Sequence, residues 1–132
     1  MNLYERIRKA KRVYIIGNGG SYANAIHIAN DLISVGVKAF TLDAATLTAT
    51  ANDYGYENVF SRWIDVVAEE GDLLLALSGS GKSANILKAI KTAKRKGMNV
   101  YRVFGAEQGL DMQESEENQL VIGHEMMRKF KC

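Results

Sequence analysis

The segment DLLLALSGSGKSANILKAI, residues 72–90, contains three pieces that together decide the fold. The first is an apolar run of strand length, and such a run without alternation is typical of a parallel strand covered on both faces. A turn of glycines and serines follows. The rest carries apolar residues at helical spacing. The segment therefore predicts a strand, a tight turn and a helix, which is the main part of a βαβ unit.

The same pattern recurs along the chain. VYIIG (13–17) predicts a strand that ends in the turn GNGGS (17–21), and the helix after it is predicted to end at Gly36. Further strands are predicted at 38–43 and 98–105, and further helices at 56–70, from 84 to Gly97, and from about Asp111 onward. Gly123 is the weak point of the last helix, and TLTATANDYG (46–55) fits neither pattern. The alternation predicts an α/β three-layer sandwich of flavodoxin-like type, a parallel sheet of about four strands with helices on both faces.

The predicted helices each carry an apolar stripe that would face the sheet. In the helix after GNGGS the stripe consists of Ala25, Ile26, Ala29, Leu32 and Ile33. In the helix at 56–70 it consists of Val59, Phe60, Trp63, Val66 and Val67. In the last helix it consists of Met112, Leu120, Met127 and Phe130.

Composition limits the class of protein. The 132 residues, 47% hydrophobic and 24% charged, predict a single globular domain over 1–132. A net charge of +2 argues against a nucleic-acid or membrane partner. The first residues, MNLYERIRKAKR, lack the apolar centre of a signal peptide, so the expected location is cytoplasmic. The single cysteine, Cys132, excludes a disulfide framework and a cysteine-based metal site.

Neither glycine-rich turn matches a nucleotide-binding motif. In SGSGKS (78–83) the first glycine position of a P-loop holds Ala76, inside the predicted strand. In GNGGS a dinucleotide fingerprint would need glycine where Tyr22 stands. Both turns nevertheless follow strands of one parallel sheet, at the edge where such sheets bind ligands.

Serine hydroxyls and a helix N-terminus suit one compact dianion better than a triphosphate. Ser78, Ser80 and Ser83 can supply the hydroxyls, which favours binding of a phosphomonoester. The alternative is that these serines only cap the following helix. The sequence favours phosphate binding and leaves the capping role open.

The two histidines of the chain are His27 and His124. Asn24, His27 and Asp31 have the spacing i, i+3 and i+7, which places them on one face of the helix after GNGGS. A histidine and a carboxylate four residues apart can form an acid–base pair or half of a metal site. They can equally form an ion pair on a solvated face, and the spacing alone does not separate these possibilities.

GNGGS…IHIANDL, TANDYGYENVFSRWID, DLLLALSGSGKSANILKAI and KGMNVYRV together resemble the SIS (sugar isomerase) domain. Within that superfamily they are most similar to the sedoheptulose 7-phosphate isomerase (phosphoheptose isomerase) family. The resemblance extends from about Val13 to Phe130. It implies the SIS fold and an isomerase that interconverts a ketose phosphate and an aldose phosphate by acid–base proton transfer. The alternative is a non-catalytic SIS module that binds a sugar phosphate or a protein partner.

The resemblance also implies the binding residues. Those predicted to bind the phosphate are Ser78, Gly79, Ser80 and Ser83. Those predicted to contact the sugar are Asn18, Gly19, Gly20, Ser21 and Asp53. The family motif here is STSGNS or a variant of it, so Gly79 and Lys82 are departures, and Gly79 lacks a hydroxyl.

Aligning the histidines places His27 and His124 on the catalytic positions of the family. Asp31 then takes the place of a glutamate, and Glu116 that of a glutamine. The resemblance implies that these four residues carry the catalysis, and some family members bind zinc with the same quartet. A zinc ion on these residues is therefore the one candidate cofactor, and none is expected to be required. Asp31 is one methylene shorter than glutamate, which would displace a catalytic base by about an ångström, a shift that can cost ~100-fold in rate.

The family usually has a long helical extension before its first strand and a fifth strand before its last helix. We expect this chain to be shortened at both places. The resemblance further implies a homo-oligomer, a dimer or a tetramer, with the sugar phosphate as the small-molecule partner.

Overall fold

The computed structural model describes residues 1–131, so Cys132 lies outside the described residues. The strands are β1 (Val13–Ile16), β2 (Ala39–Thr41), β3 (Leu73–Ser78) and β4 (Asn99–Phe104). The helices are α1 (Leu3–Lys9), α2 (Gly20–Ser34), α3 (Ala44–Tyr54), α4 (Val59–Val67), α5 (Ala84–Arg95) and α6 (Met112–Lys131). Short 3₁₀ turns lie at Tyr56–Asn58 and Gly105–Gln108. Among residues 1–131, no helix combines the length and the apolar character needed to cross a membrane.

The strands form one parallel sheet in the order β2-β1-β3-β4. Alternate residues of β1 enter different cores, because successive side chains of a strand point to opposite faces. Val13 and Ile15 pack with α1, α2 and α6, whereas Tyr14 and Ile16 pack with α4 and α5. This confirms the predicted three-layer α/β sandwich with four parallel strands.

The sheet order creates a switch point between the two central strands. From β1 the chain crosses to β2 on one side, and from β3 it crosses to β4 on the other. Connections that diverge from neighbouring strands leave a crevice at their carboxyl ends. Both glycine-rich turns lie there, since GNGGS follows β1 and SGSGKS follows β3.

Two helices differ from the sequence-based expectation. Residues 46–54 of the unassigned segment lie within α3 and Gly55 is its C-cap; the Asp43 side chain caps the start of α3 by accepting from the Thr46 N–H at 2.9 Å. No residue of α3 is fully buried, and only Leu47 and Ala51 pack partly against the core, so its apolar pattern is weak. The helix predicted over 56–70 is shorter: the 3₁₀ turn comes first, and α4 ends at Val67.

The predicted apolar stripes were partly wrong. Ile26 and Ile33 of α2 are exposed, and so are Val66 and Val67 of α4, whereas Ile64 of α4 is buried. In α6 the buried residues are Ser115, Gln119, Gly123 and Met126, and Met112 is exposed. The buried residues of α6 thus include two polar ones, of which Gln119 contacts the polar residues of α2 described below.

Candidate functional site

The turn after β3 is held by its own serines. The Ser78 hydroxyl accepts a hydrogen bond from the Gly81 N–H at 3.0 Å, and the Ser80 hydroxyl accepts one from the Lys82 N–H at 3.1 Å. Each hydroxyl keeps its own proton for donation to a ligand. Ser83 occupies the N-cap position of α5, yet its side chain makes no capping hydrogen bond. Capping therefore does not account for Ser83.

The turn after β1 is joined to the turn after β3 by side-chain amides. Asn18 donates to Asn85 at 2.8 Å, and Asn85 donates back to Asn18 at 3.0 Å. The Tyr56 hydroxyl donates to the same Asn18 oxygen at 2.6 Å. Gly19, at φ +55° and ψ −121°, adopts a backbone conformation that favours glycine. Asn85 and Tyr56 were missed from sequence, because nothing in their neighbourhood along the chain indicates a contact with Asn18.

A small cleft, called the serine cleft, lies between the two turns and encloses about 50 Å³. It is lined by Asn18, Ser21, Leu77, Ser78, Gly79, Ser80, Ser83 and Met112. Helices α2, α5 and α6 all begin at this cleft, and helix N-termini present N–H groups and a positive dipole end. The lining contains no lysine or arginine, and Lys82 is exposed to solvent. The groups that the cleft offers to a small anion are therefore hydroxyls and backbone dipoles.

A second cleft, called the tyrosine cleft, adjoins the first and encloses about 280 Å³. Its lining consists of Gly17, Asn18, Gly19, Tyr22, Ala44, Leu47, Thr48 and Tyr56, so Asn18 borders both clefts. The Tyr22 hydroxyl donates to the Leu42 carbonyl at 2.6 Å. Burial raises the pKa of Tyr22, and the nearby Asp43 carboxylate raises it further. Asp53 lies on the exposed end of α3 and lines neither of these clefts.

From the serine cleft a line of polar contacts follows the boundary between α2 and α6, called the α2–α6 seam. Asn24 donates to the Gln119 side chain at 2.8 Å and to the Glu116 carbonyl at 2.9 Å. Gln119 in turn donates to the Ser21 hydroxyl at 3.0 Å. These side chains are buried and hydrogen-bonded to one another, so this part of the seam is a satisfied polar network.

Further along the seam lie the two histidines with Asp31, a group called the His–Asp–His cluster. The Nε2 atoms of His27 and His124 are 3.3 Å apart, and Asp31 Oδ2 is 3.3 Å from the first and 3.6 Å from the second. The Asp31 side chain is only 13% exposed, against 51% for His27 and 41% for His124. Asp31 Oδ2 is buried and has no hydrogen-bond partner among the described residues. The spacing of Asn24, His27 and Asp31 thus places all three on the face of α2 that meets α6.

Glu116 lies outside this cluster. Its carboxylate rests against Gly20, where a Cβ would overlap it, at the end of the seam next to the serine cleft. The eight residues from Glu116 to His124 correspond to about 12 Å along a helix. The group that could hold a metal ion among the described residues is His27, Asp31 and His124, so the predicted quartet is reduced to three.

The three donor atoms of the cluster lie within 4.8 Å of one another. Two imidazole nitrogens and one carboxylate oxygen form a donor set found at catalytic zinc sites, which keep one position open. Without a metal the same groups form an acid–base set, since a carboxylate and neutral imidazoles can accept and donate protons near neutral pH.

Comparison with known proteins identifies the family of this chain. The family described as "SIS domain" matches residues 1–105, so the chain belongs to the SIS domain family. A phosphoheptose isomerase of Campylobacter concisus is 42% identical over 128 residues, covering 90% of this chain and 67% of that protein. One of Nitratiruptor is 38% identical over 113 residues, covering 80% of this chain and 60% of that protein. Within the SIS domain proteins the chain therefore belongs to the phosphoheptose isomerase family.

Solved structures give the same result. The phosphoheptose isomerase of Neisseria gonorrhoeae superposes with a TM-score of 0.87 at 27% sequence identity, covering 98% of this chain and 80% of that one. The sequence-based resemblance is thereby confirmed, together with the fold. The chain spans about 60–67% of the length of the two curated relatives. The idea that the shortening lies before the first strand and before the last helix stays a prediction.

Proposed function

We propose that this chain is a phosphosugar isomerase that interconverts a ketose phosphate and an aldose phosphate, of the sedoheptulose 7-phosphate to heptose 7-phosphate type. The observation that carries the proposal is the arrangement along α2. A cation-free serine cleft lies at its first turn, and the His–Asp–His cluster lies further along the same seam. The first feature suits a phosphate, and the second suits proton transfer.

The separation of the two features supports a long-chain sugar. His27 is seven residues after Gly20, which corresponds to about 10 Å along the helix. A seven-carbon sugar phosphate in an extended conformation has a comparable length, so its phosphate and its carbonyl can occupy both ends together. A three-carbon sugar would be too short.

Asp31 is the proposed base. It takes the proton from the carbon next to the ketose carbonyl, and the electron pair of that C–H bond forms the double bond of an enediolate. His124 donates a proton to the carbonyl oxygen and recovers one from the neighbouring hydroxyl as the aldehyde forms. Asp31 then returns its proton to the former carbonyl carbon, so atoms and electrons balance without an oxidant. The position of Asp31 between the two histidines and the low exposure of its side chain, 13%, support this role.

The His–Asp–His cluster also fits a zinc ion, because its two nitrogens and one oxygen converge. A bound divalent cation would supply electrostatic stabilisation of the negative charge on the enediolate oxygens. His27, Asp31 and His124 would hold it, and Glu116 is placed at the serine-cleft end instead. The absence of any required cofactor stays a prediction.

A homo-oligomer is part of the proposal. Ile26 and Ile33 of α2 and Val121 of α6 are exposed apolar residues on the helices that carry the half-exposed histidines. A second copy of the chain on this face would shield the cluster from water, which strengthens electrostatic interactions within it. Light scattering of Ile33→Lys against the parent tests this, and an unchanged mass would contradict it. A cytoplasmic location and the absence of nucleic-acid or membrane partners stay predictions from composition.

The experiment is turnover of sedoheptulose 7-phosphate in D₂O, with and without Zn²⁺, followed by NMR for the aldose product and for deuterium on the adjacent carbon. We expect product and exchange in the parent. In Asp31→Asn both should fall by a factor of about 10²–10⁴, the usual contribution of a general base. Asp65→Asn is the matched control, because Asp65 is an exposed carboxylate paired with Arg95 on α5, in the other helix layer.

Two results would contradict the proposal. Parent-like turnover by Asp31→Asn would remove Asp31 from the mechanism. Sugar-phosphate binding by calorimetry, without product or exchange in the parent, would favour the non-catalytic SIS module instead.

A further inference from the structure

At the wall of the serine cleft, the Met112 side chain fills the space beside Gly79. A Cβ built on Gly79 would lie 2.5 Å from Met112 Sδ and 2.8 Å from Met112 Cε. Both distances are far below ordinary van der Waals contact. The thioether of Met112 thus fills the place that a hydroxyl-bearing side chain at position 79 would take.

The backbone of Met112 is held firmly. Asp111 and Glu114 exchange side-chain-to-backbone hydrogen bonds of 2.8 and 3.0 Å, a capping box that fixes the start of α6. Ser115 packs directly against Gly105, where a Cβ would overlap its hydroxyl. These contacts tie the first turn of α6 to the end of β4. The Met112 side chain extends from this turn to the wall of the serine cleft.

That side chain is 55% exposed although it borders the cleft. Methionine is unbranched and flexible, so it can close over a ligand of the right size and adjust to it. The cleft beneath it encloses about 50 Å³. Met112 forms part of the wall of this small cleft, so its side chain limits the size of an anion that can enter.

We propose that Met112 determines the specificity of the serine cleft, by restricting it to a terminal phosphomonoester and excluding larger anions such as pyrophosphate. This rests on the phosphate-binding role given to the cleft in the proposed function. The side chain acts by volume: it adds no charge and no hydrogen bond. Met112 can take this place only because Gly79 has no side chain, since a Cβ at residue 79 would overlap the Met112 thioether.

The test measures binding of inorganic phosphate and of pyrophosphate by calorimetry, in buffer free of divalent cations. The parent should bind phosphate more tightly than pyrophosphate. In Met112→Ala this preference should fall by at least about tenfold, within the range expected for small volume changes in a binding pocket. Leu87→Ala, which truncates an exposed apolar residue of α5 that does not line the cleft, should keep the parent's preference.

A second pair of variants tests the shared space directly. Gly79→Thr should weaken phosphate binding about tenfold or more, because its side chain would overlap Met112, and adding Met112→Ala should restore most of the loss. If Gly79→Thr does not fold, Met112→Ala alone decides, since Met112 is exposed and its removal leaves the core intact.

An unchanged preference in Met112→Ala overturns the inference while leaving the phosphate site in place. So does a double variant that binds no better than Gly79→Thr. A parent that binds neither anion overturns both the inference and the phosphate role of the cleft.

Discussion

Replacing Gly123 by alanine should push α6 away from α2. A Cβ at this position would lie 2.7 Å from Ile28 Cγ1 and 3.3 Å from its Cδ1. Ile28 is 2% exposed, and a β-branched side chain in a helix has one strongly preferred rotamer, so it cannot move aside easily. Helix propensity by itself would stabilise the variant by about 1 kcal/mol. Overpacking of a buried contact costs about 1–3 kcal/mol, so the expected net change is a destabilisation of roughly 0–2 kcal/mol.

The same displacement should reach the His–Asp–His cluster. His27 and His124 are the chain neighbours of Ile28 and Gly123, and their Nε2 atoms are 3.3 Å apart. Separating the helices should therefore weaken Zn²⁺ binding and turnover as well as stability. Urea unfolding gives the stability change, and calorimetry with Zn²⁺ gives the change at the cluster.

A double-mutant cycle isolates the contact. Ile28→Ala alone should cost about 2–5 kcal/mol, but in that background Gly123→Ala should be neutral or stabilising, since the opposing atoms are gone. Val66→Ala, 80% exposed on α4 in the other helix layer, is the control and should change stability by at most about 0.5 kcal/mol. Stabilisation of Gly123→Ala by about 1 kcal/mol in the parent background would refute the reasoning, because helix propensity alone would then explain the result.

Further predictions concern the two turns and the start of α3. Ser83→Ala should weaken phosphate binding about tenfold in calorimetry and leave thermal stability nearly unchanged, because Ser83 makes no capping hydrogen bond. Asp43→Ala should lower thermal stability and leave phosphate binding nearly unchanged, because Asp43 caps α3 by accepting from the Thr46 N–H. Equal effects of Ser83→Ala and Asp43→Ala on stability would contradict this contrast. Hydrogen bonds from Thr46 lower the pKa of Asp43, so its contribution to stability is present above the ordinary carboxyl pKa of about 4 and is lost as the pH falls through the lower folded value. Urea unfolding at pH 7 and pH 3 should show a smaller acid-induced loss in Asp43→Asn than in the parent. Asn85→Ala should weaken phosphate binding by about 1–3 kcal/mol in calorimetry, because Asn18 loses its reciprocal partner, and unchanged affinity would remove Asn85 from the support of the cleft.

Much of the fold follows from local sequence. The apolar run 72–78 and the glycines after it predicted β3 and its turn almost to the residue. By contrast, α1 was not predicted, because seven residues form a marginal helix on their own. Leu3 and Ile7 of α1 are buried, and Tyr4 packs on Phe130 with ring centroids 4.8 Å apart. Contacts with α6 at the far end of the chain therefore stabilise this helix.

Some features of the candidate site likewise followed from local sequence, and others depended on tertiary packing. Its serines and glycines were named from sequence because a tight turn selects its residues within a few positions of the chain. Local sequence did not predict that Asp53 lies outside both clefts, and it did not predict the hydrogen bond between Tyr56 and Asn18. These depend on how α3 and the 3₁₀ turn pack beside β1.

The sequence by itself determined the strand–turn–helix units, their parallel arrangement and the edge of the sheet at which a small anion would bind. These depend on backbone conformations that neighbouring residues select. Only the tertiary structure decided which faces of α2 and α6 meet, and so that His27 and His124, 97 residues apart in sequence, come together with Asp31 while Glu116 does not. It also decided that Met112 fills the space beside Gly79. The reason is that contacts between distant segments depend on packing over the whole chain, which no local pattern records.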